Sequence, residues 1–100
     1  MSHIAALLPT HPGSLLRAKL SHLGCTTAAA ARHLGVSRQT LYDIIREHQA
    51  ITPSVALRVA KLTATAPEMW LNMQQEHDLA IARVQCSDLL KKVPALKERW

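Results

Sequence analysis

The chain has 100 residues, 48% of them hydrophobic, with no Phe, one Tyr and two Trp; it can close one core but not two, and an aliphatic core of Ala, Leu, Ile, Val and Met favours packed helices over a sheet. Its formal net charge of +5 points to a polyanionic partner. Up to residue 66 there are seven Lys or Arg against Asp43 and Glu47, and beyond it five against five, so the cationic excess belongs to the first two thirds.

Residues 1–10 read as an N-terminal arm. They lack the basic stretch and long apolar run of a targeting segment, and no apolar run in the chain is long enough to span a membrane, so a cytoplasmic chain is expected. Pro12 and Gly13 open a first helix with Leu15, Leu16, Leu20 and Leu23 at helical spacing, and Gly24 stops it. Thr26 can cap a second helix over Thr27–Leu34, slim because Ala28, Ala29, Ala30 and Ala31 fill it. Gly35 and Val36 break that pattern, and Ser37 offers a cap for a third helix running to about Glu47. Thr52 then Pro53 start a fourth, with Val55, Val59, Ala60 and Leu62 as its inner face. Pro67 and Glu68 open a fifth, whose stripe of Met69, Trp70, Met73, His77, Ile81 and Val84 has a period near 3.6. From Ser87, Leu89, Leu90, Val93 and Leu96 make a short amphipathic end piece interrupted by Pro94. The expected architecture is all-α: a five-helix domain over residues 11–84 and a C-terminal tail over 85–100.

Cys25 and Cys86 are isolated, without C-x-x-C spacing, and read as buried thiols. The six His never fall at the i, i+4 spacing of paired ligands, so no metal and no cofactor are expected. Nor does any Ser, Cys or His have partners spaced to assemble a nucleophile with its base. Neither an enzyme nor a small-molecule substrate is implied.

A helix-turn-helix requires a small residue where two helices cross, a glycine in the turn and apolar residues that lock the second helix. Ala31, Gly35, Val36, Leu41 and Ile44 supply these at the matching spacing. With Leu41 and Ile44 inward, the third helix presents Arg38, Gln39, Tyr42, Asp43 and Arg46 outward. Duplex DNA is the expected partner. Arg38 can bind guanine O6 and N7, Gln39 the N6 and N7 edge of adenine, and Asp43 cytosine N4; Thr40 and Tyr42 can meet a thymine methyl or a phosphate. Alternatives stay open at two of these positions: Arg46 can serve phosphate alone, and Asp43 can instead bond Gln39 or pair with Arg46.

The chain resembles the HigA-type antitoxins, a branch of the Cro/lambda-repressor-like (XRE) regulators. His11-Pro12-Gly13, Leu34-Gly35-Val36-Ser37-Arg38, Pro53 with Ala56-Leu57-Arg58, and Pro67-Glu68 followed by Trp70-Leu71-Asn72 and Gln74 match that pattern in order over residues 11 to about 83. The resemblance implies a lambda-repressor-like domain acting as a homodimer on a palindromic operator, repressing its own operon and neutralising a RelE-like (HigB-type) toxin ribonuclease. Thr27 stands where many members have a phosphate-binding Gln, which implies weaker anchoring. Ala30 replaces a usual Leu, and Ala66 a capping Ser, at a cost of about 0.5–2 kcal/mol. Trp70, Met73, Leu89 and Leu90 are the candidate dimer contacts, although a Trp and Met stripe at helical spacing reads first as core. Two other functions fit the residues: a repressor without a toxin partner, and a protein-interaction adaptor whose helix-turn-helix no longer reads DNA.

Overall fold

Side-chain acceptors placed just ahead of each run set most of the helix starts. The computed structural model describes residues 9–97, and within them the chain forms six helices and no strand: α1 Pro12–His22, α2 Thr27–Leu34, α3 Arg38–Ile45, α4 Pro53–Thr63, α5 Pro67–Gln85 and α6 Ser87–Lys91. Thr26 accepts from the Ala29 N–H at 3.1 Å, Ser37 from Thr40 at 3.0 Å and Thr52 from Val55 at 3.3 Å, as the sequence implies. A fourth cap was not foreseen: His11 Nδ1 accepts from the Gly13 N–H at 2.9 Å and opens α1. Ala66 gives α5 no side-chain cap, in line with the missing hydroxyl.

Helices α1 to α4 are each followed within two residues by one in the left-handed region, at Gly24, Gly35, Glu47 and Ala64. In each, the next N–H reaches back to a carbonyl one turn inside the helix: Cys25 to Leu20, Val36 to Ala31, His48 to Asp43 and Thr65 to Ala60, at 2.8–3.1 Å. Because Glu47 takes this position at φ 66°, α3 stops at Ile45 with Arg46 as its cap, short of the expected end at Glu47.

The core runs from Leu16 and Leu20 through Ala30, Ala31, Leu34, Leu41, Ile44, Ile51, Ala56, Val59 and Ala60 to Trp70. Leu23 is exposed rather than inward, and Ala56 takes the central place on α4 while Val55 and Leu62 are half-buried. α5 packs along α4 and touches α1. Its expected stripe holds only at Trp70: Met69, Met73, His77 and Ile81 are half-buried, and Val84 is 69% exposed. The second buried residue of α5 is polar. Gln74 Oε1 accepts from the Ile51 N–H at 2.9 Å, and its Nε2 donates to Asp78 at 3.0 Å.

At 19 residues, α5 is no short helix; at 1.5 Å per residue it is roughly 28 Å long and outruns the body it packs on. The tail beyond it forms α6, which buries nothing, and Leu89, Leu90, Val93 and Leu96 are exposed. The radius of gyration of 16.9 Å exceeds the roughly 13 Å of a compact chain this size. Of the expected arm, residues 1–8 lie outside the described residues; Pro9 is held by its carbonyl against His77 Nδ1 at 2.8 Å. Among the described residues no helix is long and apolar enough to cross a membrane.

Candidate nucleic-acid interface

The elbow between α2 and α3 is built from the five residues expected of it. Ala31 is buried at the crossing, Gly35 turns the chain at φ 70°, Val36 packs half-buried into the corner, and Leu41 and Ile44 are fully buried on the inner side of α3. Ala30 is fully buried as well, so two of the four alanines carry the packing. α1 backs this arrangement at very short range: a Cβ on Gly13 would run into the carbonyl oxygen of Ile44. Gly13, which the sequence pattern presents only as a helix opening, therefore seats the far end of α3.

Ser37, Arg38, Gln39 and Arg46 are exposed, Tyr42 is 40% exposed, and Thr40 and Asp43 are half-buried. These side chains are not independent. Ser37 Oγ donates to Thr40 Oγ1 at 2.9 Å while accepting from the Thr40 N–H, so both residues are committed to the start of α3. Gln39 Nε2 donates to Asp43 Oδ1 at 2.9 Å, so within the chain Asp43 bonds Gln39. The Arg46 guanidinium lies 5.2 Å from the centre of the Tyr42 ring, a cation–π arrangement that orders a long side chain without neutralising it. Among the described residues the one ion pair is Lys91–Asp88, and none joins Asp43 to Arg46. Thr27 stands half-buried at the first position of α2.

Arg58 supports the elbow in a way that periodicity does not reveal. From α4 its Nη1 donates to the carbonyls of Leu34 and Gly35 at 3.0 and 3.4 Å, and its Nη2 to Ser54 Oγ at 2.9 Å. A cation placed on the last carbonyls of α2 complements the helix dipole and ties the elbow to α4. In the sequence, the family pattern names Arg58 without a role, and the spacing of Ser54 and Arg58, one turn apart, points to their pairing.

His11 is buried and meets His77 edge-on, with ring centres 5.1 Å apart. Burial, and then the charge of His77, push the His11 pKa below its ordinary value; Glu47, Asp78 and a hydrogen bond to the Gln49 backbone pull the other way. No group of three or more His, Cys, Asp or Glu among the described residues is placed to hold a metal ion. Cys25 and Cys86 are free and half-buried, not buried as expected.

Of the candidate dimer contacts, Trp70 is excluded by its position. It is completely buried within the single chain, and its Nε1 donates to Thr65 Oγ1 at 2.7 Å. Met73 is half-buried, whereas Leu89 and Leu90 are 63% and 56% exposed.

Comparison with known proteins agrees with this geometry. The helix-turn-helix family model matches residues 16–70. Virulence-associated protein A' of Dichelobacter nodosus is 36% identical over 83% of this chain and 73% of its own length. Antitoxin HigA-1 of Vibrio cholerae is 33% identical over 88% of this chain and 84% of its own. Among solved structures, the Pseudomonas aeruginosa antitoxin HigA with the higBA promoter superposes with a TM-score of 0.80 at 34% identity, covering 89% of this chain and 99% of that one.

Proposed function

Since the chain belongs to the helix-turn-helix regulators of the HigA antitoxin family, we propose that two copies of it bind a palindromic operator and repress their own operon, and that it neutralises a RelE-like (HigB-type) toxin ribonuclease by direct binding. Members of that class are regulators rather than enzymes, and so is this chain. The observation that carries the proposal is the outward row of α3. Polar and cationic side chains project from a helix whose other face is fully buried at Leu41 and Ile44 and whose start is capped. Rigid support of this kind is what base-edge hydrogen bonds need, because they discriminate only at fixed geometry.

In this reading Arg38 faces guanine, and Gln39 faces adenine while Asp43 holds its amide. Asp43 keeps a second oxygen for cytosine N4. Arg46, steadied on Tyr42, serves a phosphate, and Thr27, Ser37 and Thr40 line the approach of the backbone at two helix starts. A single α3 spans only a few base pairs, so two half-sites about 34 Å apart are needed for useful affinity. Leu89 and Leu90 of α6, with Met73 of α5, are the residues through which two copies meet.

Titration of a labelled duplex from the chain's own upstream region is expected to show binding that weakens steeply with salt. Absence of binding even at low salt would sink the proposal. For the toxin, the product of the neighbouring reading frame is expected to co-purify with this chain. If no neighbouring frame encodes a small basic partner, the chain is a repressor without a toxin.

A further inference from the structure

We propose that the hollow between α2 and α3 seats one backbone phosphate of the duplex, bonded by Arg32, while Arg38 on the far side of the hollow adds its charge and keeps its fork for guanine. This rests on the reading of α3 as the DNA-facing helix and adds a contact from α2 that the motif did not name. The hollow has a volume of about 340 Å³ and is lined by Ala28, Ala31, Arg32, Val36 and Arg38.

Charge is the first argument. Arg32 and Arg38 come from different helices, both are exposed, and neither makes a side-chain hydrogen bond or an ion pair among the described residues. The neighbouring arginines differ: Arg58 is committed to carbonyls and Ser54, and Arg46 is stacked on Tyr42. Two uncommitted cations bordering one hollow repel each other, and an anion between them turns that repulsion into attraction. The start of α3 adds its partial positive charge on the same side.

Space is the second. Of the four alanines in α2, Ala30 and Ala31 are buried against the core, but Ala28 is half-buried and borders the hollow. Its small size keeps a volume open instead of filling one. The third is place. Thr27 is short for the phosphate anchoring at the start of α2, and Arg32, a little over one turn further along the same helix, has the reach to supply it.

The test uses the full chain and its R32A, R32K, R38A and A28L variants, each titrated over a salt series against the upstream duplex and an unrelated duplex of equal length. R32A is expected to weaken both duplexes by a similar factor and to lower the slope of log K against log salt by about 0.9, the share of one phosphate. R32K is expected to keep most of that slope, since lysine serves phosphate as a point charge. A28L, which fills the hollow without changing charge, is expected to behave like R32A while melting like the parent. R38A is expected to change the ratio between the two duplexes as well. An unchanged slope in R32A, or a loss confined to the upstream duplex, would overturn the proposal. Inorganic phosphate added at constant ionic strength is expected to leave the affinity unchanged; a loss matching that of R32A would make this a free-anion site and overturn it too. If the parent chain binds neither duplex, the DNA reading itself fails and the phosphate seat goes with it; binding by the parent with an unaltered R32A fails the seat alone.

Discussion

Two regions of this molecule follow different rules. From His11 to Gln74 every helix but α5 starts on a side-chain cap, and all the buried residues of the described chain lie there. Past Gln74, no residue of α5 or α6 is fully buried, and Leu79, Val84, Leu89 and Leu90 are apolar and 41–69% exposed. The first region is completed by one chain. In the second, an apolar stripe has formed a helix that only partly finds a surface, which shows that periodicity sets the kind of element and not what covers it.

Substituting Trp70→Ala should test this contrast most strongly. Loss of a fully buried indole that also bonds Thr65 is expected to cost about 3–5 kcal/mol in urea unfolding, whereas Leu90→Ala at a concentration where the chain is monomeric should stay within about 0.5 kcal/mol. Comparable costs for the two would show that α6 is packed after all. Function should divide in the same way. Arg38→Ala with Gln39→Ala is expected to erase the preference for the upstream duplex, about 1–3 kcal/mol per base-pair contact, without lowering the melting temperature. Leu89→Asp with Leu90→Asp should instead keep the preference and shift sedimentation equilibrium towards monomer. A dimer that survives both aspartates meets through another surface.

Smaller effects probe the caps. Ser37→Ala is expected to cost about 1 kcal/mol, and Ala66→Ser to return a similar amount at the one uncapped start among the first five helices, both read from denaturant midpoints. No gain in Ala66→Ser would mean that Pro67 and the packing of α5 already fix that start. The smallest effect concerns pH. The folded pKa of His11 lies below its ordinary 6.5, so below that pH the unfolded chain takes up a proton which the buried ring resists. The contribution is therefore complete above pH 6.5 and is lost as pH falls towards the folded value. His11→Asn keeps a capping side chain and removes the titration, so its melting temperature should fall less between pH 7.5 and 5.5 than the parent's. An equal fall in both would assign the acid sensitivity to other groups.

The elbow residues, three of the four side-chain caps and the outward row of α3 were legible in advance because each depends on neighbours within one or two turns. Ser37 can be recognised as a cap from the helix-forming residues directly after it, and Leu41 and Ile44 from their spacing. The family pattern names Gly13, Arg58 and Gln74 without their roles, which local spacing does not show because each acts across a large separation in sequence. Gly13 meets Ile44, Arg58 reaches Leu34, Gln74 holds the Ile51 N–H, and His77 holds Pro9. A pattern of apolar positions also has no means of marking a buried glutamine. The end of α3 departs from the pattern because Glu47 adopts a left-handed conformation that composition assigns to glycine or asparagine.

The sequence alone determined that this chain is helical, where five helices begin, and that α3 carries a polar face, because caps, prolines and hydrophobic period are local and largely independent of what surrounds them. Only the tertiary structure decided that Trp70 is core and not interface, that Asp43 holds Gln39, that Arg58 ties α4 to the elbow, and that Arg32 and Arg38 border one open hollow. Those outcomes depend on which elements approach and how closely, and the free energy of burial and hydrogen bonding settles that only when the whole chain is packed.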